Sequence, residues 1–154
     1  MIDKNELNSD AAASLASADE LARRLIDCDA TLPQTLTAGE RRSLAWALKD
    51  ACYSAWSSEP RRAEKAAKAL HLLSAADLDS TSLQAREIGA LAAWTAGIAQ
   101  ITQGQMADAT ASFDLAASAF RELGQIKHAA ETQVPKIMAL SLLGQHAAAA
   151  DCAR

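Results

Sequence analysis

The side chains of this chain best suited to nucleophilic, redox or metal chemistry are three histidines, His71, His128 and His146, and three cysteines, Cys28, Cys52 and Cys152. The cysteines are far apart, odd in number and free of the CxxC spacings that mark zinc or redox sites, so they read as small buried hydrophobes. Beyond ordinary neighbours, no histidine has another histidine, cysteine or carboxylate at metal-ligand spacing. His146 and Cys152 suggest a base and a nucleophile, but six residues along a helix turn by roughly 240° and point the two side chains to different sides. The carboxylates are scattered rather than converging, and no phosphate loop or nucleophile elbow occurs. The residues predict a chain with no catalytic centre of its own, no cofactor and no metal.

The elements that carry these residues follow from composition. Alanine makes up about a quarter of the 154 residues, valine occurs once, at Val134, and aromatics form 4%. Alanine and leucine favour helices, whereas a sheet would draw on the β-branched and aromatic residues that are scarce here. Small side chains also let helices approach closely. A net charge of -4 argues against direct nucleic-acid binding. The polar start Met1-Ile2-Asp3-Lys4 lacks the basic-then-apolar order of a signal peptide, and no run of about 18 apolar residues occurs, so no membrane association is expected and the reading is a cytoplasmic protein.

Capping signals set the boundaries. Thr37-Ala38-Gly39-Glu40 is a capping box that opens a helix running to about Ser57. Pro60 suits the first turn of the next helix, whose Ala63, Ala66, Ala67, Leu70 and Leu73 form an apolar stripe ending near Ala75. Residues 76–80 read as a connection, and a second box, Thr81-Ser82-Leu83-Gln84, starts a long helix that ends at Gly104. A helix from Met106 to Leu123 closes at Gly124, the next reaches Leu143 and closes at Gly144, and a last one holds the C-terminal residues. Pro135 should kink or delay the helix around residues 131–135. Ahead of these, Ala11, Leu15, Ala18, Ala22 and Leu25 share one helical face. The expectation is all-α: a right-handed stack of antiparallel helix pairs, about seven helices, with residues 1–36 a helical arm and linker and 37–154 the repeat domain.

An internal register supports the stack. Trp94, Gly97, Gly104, Ala109, Phe113 and Ala116 place a small residue midway along one helix, a glycine at the turn and alanine–aromatic–alanine on the next. Gly97 and Ala109 then mark the crossing point, with Phe113 beside them. Ala139, Gly144 and Ala149 repeat the spacing, and Ala51, Ser58, Ala63 and Ala67 form a weaker copy. This pattern resembles the tetratricopeptide repeat, whose pairs bury their faces by stacking. Its two turn glycines, Gly104 and Gly144, are 40 residues apart, longer than the plain repeat of about 34. Together with Ala119-Phe120-Arg121-Glu122-Leu123-Gly124 and Leu140-Ser141-Leu142-Leu143-Gly144, the spacing resembles the repeat region that precedes the caspase-like CHAT protease domain of many bacterial proteins. The resemblance covers about residues 40–154 and implies a regulatory, partner-sensing role. The chain holds no protease domain, so that family's catalytic histidine and cysteine have no counterpart in it.

In a tetratricopeptide stack the first helix of each pair lines a concave groove. The register puts Leu48, Cys52 and Trp56 there from the first pair, Trp94, Ile98 and Ile101 from the second, and Val134, Met138 and Leu142 from the third. The row is apolar, so the expected guest is an amphipathic helix or apolar peptide of a protein partner. A purely structural or homo-oligomerising helical domain is the competing reading. The alanine-rich end, Ala147 to Arg154, further predicts that the native chain continues or that an oligomer partner covers that face.

Overall fold

The computed structural model describes residues 17–76 and 81–154. Ala11, Leu15 and the core of the expected connection at 77–80 lie outside them. Among the described residues the protein is helical throughout and contains no strand. Helix α1 covers residues 17–27 of the described chain, followed by α2 (Ala38–Ala55), α3 (Pro60–Ala75), α4 (Leu83–Thr102), α5 (Met106–Glu122), α6 (Ile126–Glu131), α7 (Gln133–Leu142) and α8 (His146–Cys152). No described helix is long and apolar enough to cross a membrane.

The local signals act as their chemistry requires. At Thr37 the Glu40 N–H donates to the Thr37 hydroxyl at 3.2 Å while the Thr37 N–H donates to the Glu40 carboxylate at 2.8 Å, so two orphan donors are satisfied reciprocally. Pro60 opens α3, where its missing N–H costs nothing. At α4 the capping residue is Ser82 rather than Thr81, its hydroxyl accepting the Ala85 N–H at 3.0 Å. Helix α5 ends on Gly124 at φ 72, with the Gly124 N–H reaching Arg121 O at 2.9 Å and the Gln125 N–H reaching Phe120 O at 2.8 Å. Those two bonds form the Schellman closure, and a left-handed residue is needed to make it.

Helix α2 packs on α3 and α4 on α5, while α4 also lies against both α2 and α3 and α5 lies against α6 and α7. One core runs through the stack, from Ala18, Ala22, Leu25 and Ile26 of α1 to Ala139 of α7. Its contact points are small: Ala63, Ala109 and Ala139 are fully buried. At the α4–α5 crossing, a Cβ placed on Gly97 would fall 2.5 Å from Phe113 Cε1, so only glycine lets the ring sit there.

The helix expected to reach Leu143, with a kink or delayed start around residues 131–135, is interrupted there and forms two helices. Helix α6 ends at Glu131, Thr132 serves as the junction, and Pro135 sits buried in the first turn of α7. A proline at the third helical position leaves the ladder of the preceding turn without a donor, so the pair of short helices replaces one long one. The buried Thr132 hydroxyl compensates locally by donating to Ala129 O at 2.7 Å.

Candidate interaction surfaces

The nine residues expected to line a groove divide by helix pair. Leu48, Cys52, Trp94, Ile98 and Ile101 are core side chains, none more than 8% exposed, and cannot line an open surface. The reason is the tight approach of α2 to α4, which buries the facing rows of both helices against each other. Cys52 shows the closeness, its thiol lying 4.0 Å from Thr95 O, and burial pushes its pKa up to about 12. Trp56 is half-buried against the core at the end of α2. The third pair differs. Val134 and Leu142 are 60% and 62% exposed, with half-buried Met138 between them, so Val134, Met138 and Leu142 form a stripe at i, i+4 and i+8 along α7.

That contrast is positional. Forty residues separate Val134 from Trp94 and Met138 from Ile98, the same interval as between the two turn glycines, so these pairs are equivalent in the repeat. In α4 the row is covered; in α7, whose start is displaced by the break at Thr132, the equivalent row is open.

The inner face between α2, α4 and α6 is filled by the chain's own polar and aromatic side chains, a cluster that the sequence register did not single out. Glu87 of α4, only 4% exposed, accepts two bonds from the Arg42 guanidinium at 2.6 and 3.0 Å, one from the Trp46 indole at 3.3 Å and one from the Gln125 amide at 3.2 Å. Burial opposes the charge on Glu87, but the Arg42 guanidinium, with the Gln125 and Trp46 donors, outweighs it and holds the carboxyl below its ordinary range. One carboxylate thus clasps α2, α4 and the turn into α6.

Beside it the rings form a chain of contacts. Tyr53 meets Trp94 edge-on at 6.0 Å, Trp94 meets Phe120 at 6.0 Å, and His128 packs on Phe120 at 5.6 Å and on Trp46 at 4.7 Å. The Lys49 ammonium sits 4.4 Å from the Trp94 ring centroid and within cation–π range of Trp46 and Tyr53, while bonding Asp50 at 3.1 Å. The spacing of Trp46, Lys49 and Tyr53 on α2 was the available signal: three amphipathic side chains on one face next to the apolar stripe.

The remaining reactive side chains stay apart. His71 and His146 are exposed, and His128 bonds Glu131 at 3.0 Å. Cys28, expected to be buried, is exposed because it follows the last turn of α1 where the chain leaves the core; Cys152 is half-buried. Among the described residues no group of three histidines, cysteines or carboxylates is gathered as a metal site would require. No protein-family model, no curated protein and no solved structure matches this chain.

Proposed function

We propose that the chain is a protein-interaction module that holds an amphipathic helix of a partner along the α7 stripe of Val134, Met138 and Leu142. The observation that carries this reading is the exposure of Val134 and Leu142 on α7, with Val134 at the position whose α4 equivalent, Trp94, is core. An apolar row along one helix face offers a surface against which an amphipathic helix can lay its own apolar face. A finer form of the reading, resting on the repeat resemblance alone, makes the chain the regulatory region of a caspase-like CHAT protease.

A photo-crosslinking residue in place of Leu142 tests it. Crosslinks should map to the apolar face of a helix in another protein and vanish when Val134→Asp is added. Crosslinks confined to a second copy of this chain, or none, would replace this reading by the structural one. That second reading, a structural or self-associating helical domain, draws on Trp46, Lys49 and Tyr53 being engaged with the chain's own Trp94 and His128.

A further inference from the structure

Helix α3, which packs between α2 and α4, carries a second surface. Its exposed face repeats cations at helical spacing, Arg61, Lys65 and Lys68, with Leu72 one turn further on. The linker that follows α1 runs beside this face and turns what would be a solvated stripe into a trough. Two adjoining hollows share Lys65. One, of about 740 Å³, lies between Ile26, Pro60, Arg61 and Arg62; the other, of about 290 Å³, has an apolar floor of Leu25, Leu32, Ala69 and Leu72 with Lys68 at its rim.

The charges of the trough are arranged in an order. Arg62 pairs with Asp27 at 3.4 Å and Lys65 with Asp29 at 2.9 Å, both pairs substantially solvated. Such pairs contribute little and exchange readily for an incoming carboxylate. Among the described residues Arg61 and Lys68 make no ion pair. They stand seven residues apart on α3, a separation of about 10.5 Å along the helix axis. The chain as a whole carries a charge of -4, so this face is a local reversal of sign.

We propose that this trough docks an acidic amphipathic helix of a partner protein. Two carboxylates seven residues apart meet Arg61 and Lys68, and apolar side chains in the turn beyond the carboxylate at Lys68 enter the floor beside Leu32 and Leu72. The geometry favours spaced carboxylates over a nucleic-acid backbone, because Asp27, Asp29 and Glu59 interrupt the cations and would repel a continuous row of phosphates. The floor supplies what a purely electrostatic site lacks: a place to desolvate leucine-like side chains next to the charges.

The test is fluorescence anisotropy with a dye-labelled synthetic helical peptide that carries two glutamates seven residues apart and a pair of leucines in the turn beyond one of them, alongside a control peptide with glutamine at both glutamate positions. The glutamate peptide should bind, and its affinity should fall about tenfold for the glutamine control and for the Arg61→Gln/Lys68→Gln variant. Leu72→Asp should also weaken binding, Val134→Asp should leave it unchanged, and added salt should loosen it. Circular dichroism of each variant confirms the fold. Equal binding of the two peptides, no binding of either, or binding that survives Arg61→Gln/Lys68→Gln would overturn the proposal. So would capture of duplex DNA or phosphatidylserine vesicles in place of the peptide.

Discussion

The ring of Phe113 lies across Gly97 so closely that a single methyl on the glycine would overlap Cε1, Cδ1 and Cζ, at 2.5, 2.8 and 2.8 Å. Both residues are buried, and the ring belongs to the rigid interior of the α4–α5 crossing. Gly97→Ala should therefore lose about 1–2 kcal/mol: overpacking costs about 1–3 kcal/mol, and helix propensity returns up to about 1. Phe113→Leu makes room at its own cost. The double variant should be destabilised by less than the sum of the two single changes, which a urea-denaturation double-mutant cycle measures directly. Additive losses would mean that the methyl and the ring do not meet.

The Glu87 clasp gives a pH signature. Its carboxyl is held below the usual range, with Arg42 outweighing the effect of burial, so the contribution is present at and above the ordinary carboxylate pKa and is lost as pH falls through the depressed folded value. Glu87→Gln keeps the shape but removes the charge that Arg42, Trp46 and Gln125 address. It should cost about 1–3 kcal/mol at neutral pH. The stability gap between wild type and variant should stay constant down to about pH 4 and close below it. Exposed Glu20 and Glu40, which also titrate low, are common to both proteins and cancel in the difference.

Thiol reactivity separates the cysteines. Cys52, buried and with its pKa pushed up to about 12, holds roughly one thiolate in ten thousand molecules at pH 8. In a Cys28→Ser/Cys152→Ser variant, a thiol reagent should give no reaction until urea unfolds the chain. In the wild type, exposed Cys28 should react at once. Prompt labelling of Cys52 in the native protein would mean that α2 and α4 separate more easily than their packing implies.

The fold was legible because its rules are local. Alanine content favours helix everywhere, while the Thr37–Glu40 box, Pro60 and the turn glycines each act within one turn, and each of these marks a boundary in the structure within two residues. A shorter rhythm was also present: Gly104, Gly124 and Gly144 fall 20 residues apart, each followed by glutamine, with Ala109, Ala129 and Ala149 buried at the same interval. It is the half-repeat, filled by α5 in one period and by the broken pair α6 and α7 in the next. The surface was far less legible, because whether a row such as Trp94 and Ile98 is groove or core depends on how near the neighbouring helix comes. Nothing in either helix alone sets that distance. The Glu87 hub escaped notice for the same reason: Arg42, Glu87 and Gln125 are 45 and 38 residues apart in sequence and meet only through the stacking.

Gly124 tests the closing turn without the complication of packing, since a Cβ there meets nothing within 4 Å while φ is +72. Gly124→Ala should cost about 1 kcal/mol through backbone strain alone, and Gly124→Asn less, because asparagine tolerates the left-handed region. Thermal unfolding of the three proteins orders them. An alanine variant as stable as wild type would show that α5 can end without the left-handed residue.

Repeat-equivalent positions give the sharpest separation of surface from core. Trp94→Ala and Ile98→Ala open cavities at side chains with 2% and 1% exposure, so each should lose about 2–5 kcal/mol and both report on folding before they report on binding. The exposed residues of the α7 stripe, among them Val134, 40 positions after Trp94, behave oppositely. Val134→Asp and Leu142→Asp place a charge where the side chain already meets water, and each should shift stability by no more than about 0.5 kcal/mol. Urea midpoints of the four variants distinguish the cases. Loss of partner crosslinking in Val134→Asp then reads as loss of the surface itself, an inference that Trp94→Ala could never support. Should Val134→Asp unfold the chain as Trp94→Ala does, α7 is packed like α4 and the stripe is core, which removes the basis for placing a partner there.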